Sequence, residues 1–198
     1  MSYKPKTRIA INGFGRIGRY TAKLLIENPD FELIAINDLA DDKAIAHLLK
    51  YDSIHGKLDR EISVNQSILN VGDQKIKLLS QSSPEKLPWK ELDIDVVIES
   101  TGRFTDRENA EKHLHAGAKK VIISAPSQDP SIKMVVLGVN DTILTGEEKI
   151  ISNASCTTNC LAPMVQVLEE NFGIVKGYAS TVHSYTNDQN LHDAPHRD

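Results

Sequence analysis

Cysteine is scarce. The chain has two in 198 residues, Cys156 and Cys160. Four positions apart, they cannot build the framework of a disulfide-stapled secreted domain. The expected setting is a reducing compartment, the cytoplasm. No apolar run approaches the ~20 residues of a membrane-spanning helix. The polar stretch 1–8 passes straight into a strand-like segment, so no secretory signal is expected there. No block of Lys and Arg stands out either. With 23 basic against 27 acidic residues the net charge is −4, which argues against nucleic acid or an anionic membrane as the main partner. Internal repeats and low-complexity tracts are absent. What is present is a 40% hydrophobic fraction, too high for wholesale disorder, in a chain long enough for one to two domains at roughly 100–200 residues each.

The pattern along the chain alternates strand and helix. Residues 8–12 read as a short strand, 16–27 as a helix packed on a sheet, and 32–37 as a second strand. Asn28-Pro29-Asp30 closes the helix, because the residue before a proline avoids helical dihedrals. The runs 95–100, 120–124 and 133–137 are nearly continuous apolar segments, as expected of strands buried on both faces of a parallel sheet. Between the first two, 106–116 reads as a helix with Thr105 and Glu108 as a capping box and Gly117 as its C-terminal cap. Segments 61–64, 67–71 and 75–79 alternate in polarity and predict antiparallel strands inserted into the wound sheet. A second region starts near residue 150: a strand over 150–153, a helix over 156–171 and an alternating strand over 175–182.

Gly13-Phe14-Gly15-Arg16-Ile17-Gly18 joins the first strand to the first helix. In that position the first glycine permits a tight turn, the second lets a pyrophosphate approach the backbone, and the third lets helix and strand pack closely. The helix N-terminus offers unpaired N–H groups to phosphate oxygens. Asp38 ends the second strand, twenty positions after Gly18. A carboxylate there can accept from both ribose hydroxyls and would repel a 2′-phosphate, so NAD is expected over NADP. The alternative is a plain glycine turn with a solvated aspartate.

Ala154-Ser155-Cys156-Thr157-Thr158-Asn159-Cys160 joins a strand to a helix. A cysteine in a first helical turn has its thiolate favoured by the helix dipole, and neighbouring N–H groups can hold an oxyanion beside the sulfur. His183, at the end of the following predicted strand, could pair with that thiolate and move protons. Cys160, one turn deeper, is expected to point inward as a packing residue. The alternatives are a buried structural Cys156 and a satisfied core His183. Zinc is disfavoured, because a C-x3-C pair on one helix lacks the paired knuckles of structural zinc sites, and no metal is expected.

These residues resemble phosphorylating glyceraldehyde-3-phosphate dehydrogenase. The resemblance lies in Ile11-Asn12-Gly13-Phe14-Gly15-Arg16-Ile17-Gly18-Arg19, Asn37-Asp38-Leu39, Ser100-Thr101-Gly102-Arg103-Phe104 and Ser124-Ala125-Pro126. It continues through the Cys156 heptapeptide and Thr181-Val182-His183-Ser184-Tyr185-Thr186-Asn187-Asp188-Gln189. It implies an α/β fold: a doubly wound, mostly parallel Rossmann-type NAD-binding domain over 1–151, then the start of an α+β catalytic domain over 152–198. It implies an oxidoreductase of glycolysis, in which Cys156 forms a thiohemiacetal and then a thioester, His183 is the base, and inorganic phosphate releases an acyl phosphate. The cofactor would be held by Gly13, Gly15, Arg16, Ile17, Gly18, Asp38, Thr101, Phe104 and Ser124. Ser155, Thr157, Thr186 and Asp188 would line the phosphate sites of the phosphorylated aldehyde and inorganic phosphate.

Leu39 and Pro195 stand where NAD-specific members resemble this sequence. Gln81-Ser82-Ser83-Pro84 replaces a segment that often carries an arginine near the adenine, so no cofactor residue is assigned there. The resemblance covers roughly the first three fifths of the family's length, so the chain is expected to be an N-terminal piece of a protein that forms a homotetramer when whole. Two readings compete: erythrose-4-phosphate dehydrogenase, against which Thr186-Asn187-Asp188 speaks, and an NAD-binding fragment without turnover.

Overall fold

Nine strands pair into one sheet in the order β3-β4-β5-β2-β1-β6-β7-β9-β8. The structure, a computed structural model, describes residues 5–186. The elements are β1 (Thr7–Asn12), α1 (Arg16–Glu27), β2 (Phe31–Asn37), α2 (Asp42–Lys50), β3 (Ile62–Asn65), β4 (Ile68–Val71) and β5 (Gln74–Leu79). After a single 3-10 turn at Pro84–Lys86 come β6 (Val96–Glu99), α3 (Arg107–His115), β7 (Lys120–Ile123), β8 (Lys133–Met134), β9 (Ile150–Ser152) and α4 (Cys156–Phe172). Strands β5, β2, β1, β6, β7, β9 and β8 all pair in parallel, and the predicted inserted segment is the antiparallel β3–β4–β5 meander.

Period-two alternation sorts the apolar side chains onto two faces. Ile9 and Ile11 of β1 join Leu33 and Ile36 of β2 beneath Leu25 and Ile26 of α1 and Ile45 and Leu49 of α2. On the other face Ala10, Ala35 and Val97 meet Trp89 and Ile94, and Val121 and Ile123 of β7 meet Ala110 of α3. With helices on both sides this is a Rossmann-like, mostly parallel sheet followed by further β and α elements. The chain winds from β1 toward β2 on one side and reaches β6 on the other, so a topological switch point lies between β1 and β6.

Several details depart from the sequence expectations. Helix α2 was not anticipated. Its signal was Asp41, whose carboxylate caps the N–H groups of Lys43 and Ala44, with Ile45 and Leu49 buried one turn apart. Helix α3 is capped by Asp106, not Thr105, since the Asp106 carboxylate accepts from the Asn109 N–H at 2.9 Å. Strand β8 stops at Met134 because the Asn140 side chain takes the Val136 N–H at 2.7 Å and starts a turn. Residues 175–182 form no strand: among the described residues nothing pairs with them, and Val175, Tyr178 and Val182 are fully exposed.

Two glycines of the first turn are sterically required. Gly13 has φ +92°, and a Cβ on it would stand 2.6 Å from the Thr101 nitrogen; one on Gly18 would stand 2.1 Å from the Gly13 carbonyl oxygen. A Cβ on Gly15 would meet no atom within 4 Å. Gly18→Ala is therefore expected to cost about 2 kcal/mol or more through overpacking and to lower the melting temperature clearly. Gly15→Ala, whose Cβ meets no atom within 4 Å and which costs only the N-cap preference of glycine over alanine, should lower it much less, and thermal unfolding of the two variants side by side checks the contrast.

Candidate active site

Because β2, β1, β6, β7 and β9 run in parallel, their C-terminal ends share one edge of the sheet. Asp38, the glycine turn 13–15, Thr101, Ser124 and the approach to Cys156 follow those five ends. Gly15, Arg16 and Ile17 are exposed at the start of α1, whose N-cap glycine gives no side-chain cap. The first N–H groups of α1 thus face outward beside the space above Gly15, a cradle that a Cβ would fill. Asp38 is half-buried, and its carboxylate accepts the Phe14 N–H at 2.6 Å and the Ala40 N–H at 2.9 Å. This ties the end of β2 to the glycine turn and leaves lone pairs on both oxygens. Phe104 is half-buried with its ring edge-on to His113 at 6.5 Å. The Ser124 N–H donates to the Glu99 carbonyl at 2.9 Å. An uncapped helix, an open cradle and a carboxylate at the next strand end fit a dinucleotide.

At the far end of this edge β9 turns into α4 through Ala154, whose φ of +55° is strained for a residue with a side chain. Its neighbours hold it there. The Ser152 hydroxyl accepts the Ala154 N–H at 3.1 Å, and the Asn159 amide donates to the Asn153 and Ser155 carbonyls at 2.7 and 2.9 Å. The turn delivers Cys156 as the first residue of α4. Ser155 caps the helix by accepting the Thr158 N–H at 2.9 Å, so its hydroxyl is already engaged. Thr157 follows Cys156 in the first turn, where its hydroxyl and backbone N–H favour a negative charge on the sulfur.

Cys156 Sγ lies 3.2 Å from His183 Nε2. His183 Nδ1 lies 2.5 Å from the Ser184 carbonyl, which can only accept, so Nδ1 carries a proton. Nε2 then either accepts from the thiol or, in the imidazolium, donates to the thiolate. The hydrogen bond from His183 pulls the Cys156 thiol below its ordinary range; burial opposes it, and Thr157 adds to the pull. The Ser184 carbonyl, then the Cys156 sulfur, hold His183 above the ordinary imidazole range. Both shifts favour the thiolate–imidazolium form.

The two residues meet although His183 lies in an irregular segment and not at a strand end. Cys160 is exposed, not inward-facing, because α4 buries none of its residues against the described fold. Thr186 is half-buried three positions after His183, while Asp188 lies outside the described residues. Among the described residues no three His, Cys, Asp or Glu side chains converge as metal ligands, and no helix is long and apolar enough to cross a membrane.

One polar group of this edge was missed in the sequence. Asn37, Asn12 and Glu99, the last residues of three adjacent strands, are all buried and joined by hydrogen bonds. The available signal was a polar residue closing each apolar run.

Comparison with known proteins places this geometry in context. The profile of the glyceraldehyde 3-phosphate dehydrogenase NAD binding domain matches residues 7–107, and that of the same enzyme's C-terminal domain matches 155–198. Glyceraldehyde-3-phosphate dehydrogenase of Geobacillus stearothermophilus is 56% identical over 192 residues, 96% of this chain and 57% of the relative. The enzyme of Thermotoga maritima is 56% identical over 193 residues, 96% and 58% of the two chains. That of Mycoplasma pneumoniae is 54% identical over 199 residues, 100% and 59%. The chain therefore spans somewhat more than half the length of these curated relatives.

The thiol–imidazole pair sets a pH dependence. In a Cys160→Ser background, alkylation of Cys156 by iodoacetamide should stay fast below the ordinary thiol range and fall only as acid protonates the thiolate. His183→Ala should move the midpoint upward, toward an ordinary thiol. The pH–rate profiles of the two proteins check this, and coincident midpoints would refute it.

Proposed function

We propose, since the chain belongs to the glyceraldehyde-3-phosphate dehydrogenase family, that it serves the NAD-dependent oxidation and phosphorylation of glyceraldehyde 3-phosphate to 1,3-bisphosphoglycerate. The observation that carries this reading is the 3.2 Å approach of Cys156 Sγ to His183 Nε2 at the same sheet edge as the glycine turn. The reading includes a cytoplasmic setting and a homotetramer of the whole protein.

Cys156 attacks the aldehyde carbon as a thiolate, forming the C–S bond, and the imidazolium of His183 gives its Nε2 proton to the developing alkoxide. The product is a thiohemiacetal on Cys156. His183, now neutral, takes the hydroxyl proton back as the carbon is oxidised to a thioester. NAD, when bound, supplies the hydride acceptor for that carbon. Gly13, Gly15 and Gly18 with the N–H groups of Arg16 and Ile17 would hold its pyrophosphate, Asp38 its ribose, and Thr101, Phe104 and Ser124 the remaining contacts. Inorganic phosphate then attacks the thioester, the C–S bond breaks, and the acyl phosphate leaves with Cys156 restored. A thioester conserves oxidation energy that an oxygen ester would lose. Ser155, Thr157, Thr186 and Asp188 would line the two phosphate positions, Ser155 exchanging its helix-capping bond for a shared one.

Two measurements test the reading. NADH formation from NAD, glyceraldehyde 3-phosphate and phosphate should depend on phosphate and vanish in Cys156→Ser, while NAD affinity in that variant stays within about twofold. NAD binding without turnover would make this chain a cofactor-binding unit. Asp38→Gly should raise NADP affinity relative to NAD by about tenfold, the scale of one charge-assisted hydrogen bond lost and a repulsion removed. An unchanged ratio would sink the ribose assignment.

A further inference from the structure

Glu99 is a buried acid at the cofactor edge and has no part in the reading above. Its side chain is 1% exposed, and His113 and Trp89 beside it are 0% exposed. A buried carboxylate costs several kcal/mol unless donors surround it. The register partners of Glu99 are Asn12 on β1 and Ile123 on β7, so one of its two neighbours in this row is apolar. Burial alone does not account for a charge here.

The hydrogen bonds around Glu99 follow from the groups that can only donate, with the 3.5 Å approach of Asn12 Nδ2 to His113 Nε2 left as a contact between two donors that share Glu99 Oε2. Trp89 Nε1–H can only donate, and it lies 3.0 Å from His113 Nδ1. Nδ1 is therefore the acceptor, and Nε2 carries the proton that donates to Glu99 Oε2 at 3.0 Å. The imidazole is neutral, and the contact is a hydrogen bond and not an ion pair. Asn12 Oδ1 accepts from Asn37 at 2.7 Å, so its amide nitrogen is the end that donates to Glu99 Oε2 at 2.5 Å. Asn37 is oriented in turn by the Gln81 N–H, which donates to its Oδ1 at 2.8 Å. The other carboxylate oxygen, Oε1, accepts the Thr101 N–H at 2.8 Å and also the Thr101 hydroxyl. Four donors meet four acceptor positions.

From this arrangement we infer that Glu99 is a positioning residue for the cofactor face: His113 and Asn12 hold one oxygen so that the other sets the Thr101 backbone. Thr101 in turn backs the glycine turn, since the Thr101 nitrogen is 2.6 Å from where a Gly13 Cβ would lie. Ser100 adds a second tie, its hydroxyl donating to the Gly13 carbonyl at 2.7 Å. The turn is thus built before a dinucleotide arrives, and less ordering entropy is lost on binding. The inference rests on the NAD reading for its ligand.

Glu99→Gln tests it with little change of shape. A glutamine oxygen can face Asn12 and His113 or Thr101, but not both. With the oxygen toward the two donors, the amide nitrogen stands against the Thr101 N–H, which loses its acceptor. NAD affinity should fall about tenfold, the scale of one such bond, with the melting temperature within a few degrees of the unmodified protein. Amide exchange of Thr101 should quicken at least tenfold while Ile11 and Val97 in the strands keep their protection. In Thr101→Val only the hydroxyl bond to Glu99 is lost while the backbone N–H keeps its acceptor, so the amide exchange at position 101 should quicken far less than in Glu99→Gln.

Unchanged NAD affinity in Glu99→Gln, or a Thr101 exchange rate that does not change in it, would overturn the assignment. A Glu99→Gln variant that unfolds or loses protection across β1 and β6 together would mark Glu99 as a core residue only. If the unmodified protein binds no NAD, the cofactor reading fails; the Thr101 exchange rate then still decides whether Glu99 sets that loop.

Discussion

Parallel pairing of β2, β1, β6, β7 and β9 is the constraint on which the rest of this protein depends. Parallel strands end on the same side, so five chain segments remote in sequence must turn together along one edge. Each turn leaves backbone N–H and C=O groups that the sheet no longer satisfies. The chain deals with them differently at each position. Gly13 and Gly18 let backbone touch backbone, Asp38 takes the Phe14 N–H, Glu99 takes the Thr101 N–H, and Ser152 takes the Ala154 N–H. The edge is polar and ordered because its own unpaired groups require it.

Two kinds of chemistry share the edge without sharing residues. Toward β1 and β2 the turn is tight, uncapped and open above Gly15, an arrangement for holding an anion by backbone groups. Toward β9 the strained Ala154 and the capped start of α4 present one thiol to one imidazole. The strain is local and is offset by the Asn159 amide, which grips the turn on both sides. Cys160, on the same helix, has no such partner geometry among the described residues, and the contrast shows that the helix alone does not make Cys156 special.

Much of the fold was legible because local pattern and tertiary role agree. The helix expected over 16–27 is α1 residue for residue, and the apolar runs over 95–100 and 120–124 became central parallel strands. Legibility failed where a long-range partner decided the outcome. Strand β8 ended early because Asn140 reached back to Val136. The alternating segment 175–182 has strand periodicity, yet periodicity gives a strand only when a neighbour pairs with it. Helix α2 was missed for another reason: it is only nine residues long, and its apolar positions 44, 45, 46, 48 and 49 run almost together instead of marking a helical period.

The sequence by itself determined the chemical types and their order: a glycine turn between strand and helix, an acid at the next strand end, a cysteine opening a helix and a histidine after it. These are local features, set by dihedral preference, capping and residue chemistry within a few positions. Only the tertiary structure decided which of them meet. The 3.2 Å approach of Cys156 to His183 spans 27 positions, and the Glu99 bonds to Asn12 and His113 span 87 and 14. Such contacts arise from register and crossover, which place residues in space without leaving a mark in the sequence around either one.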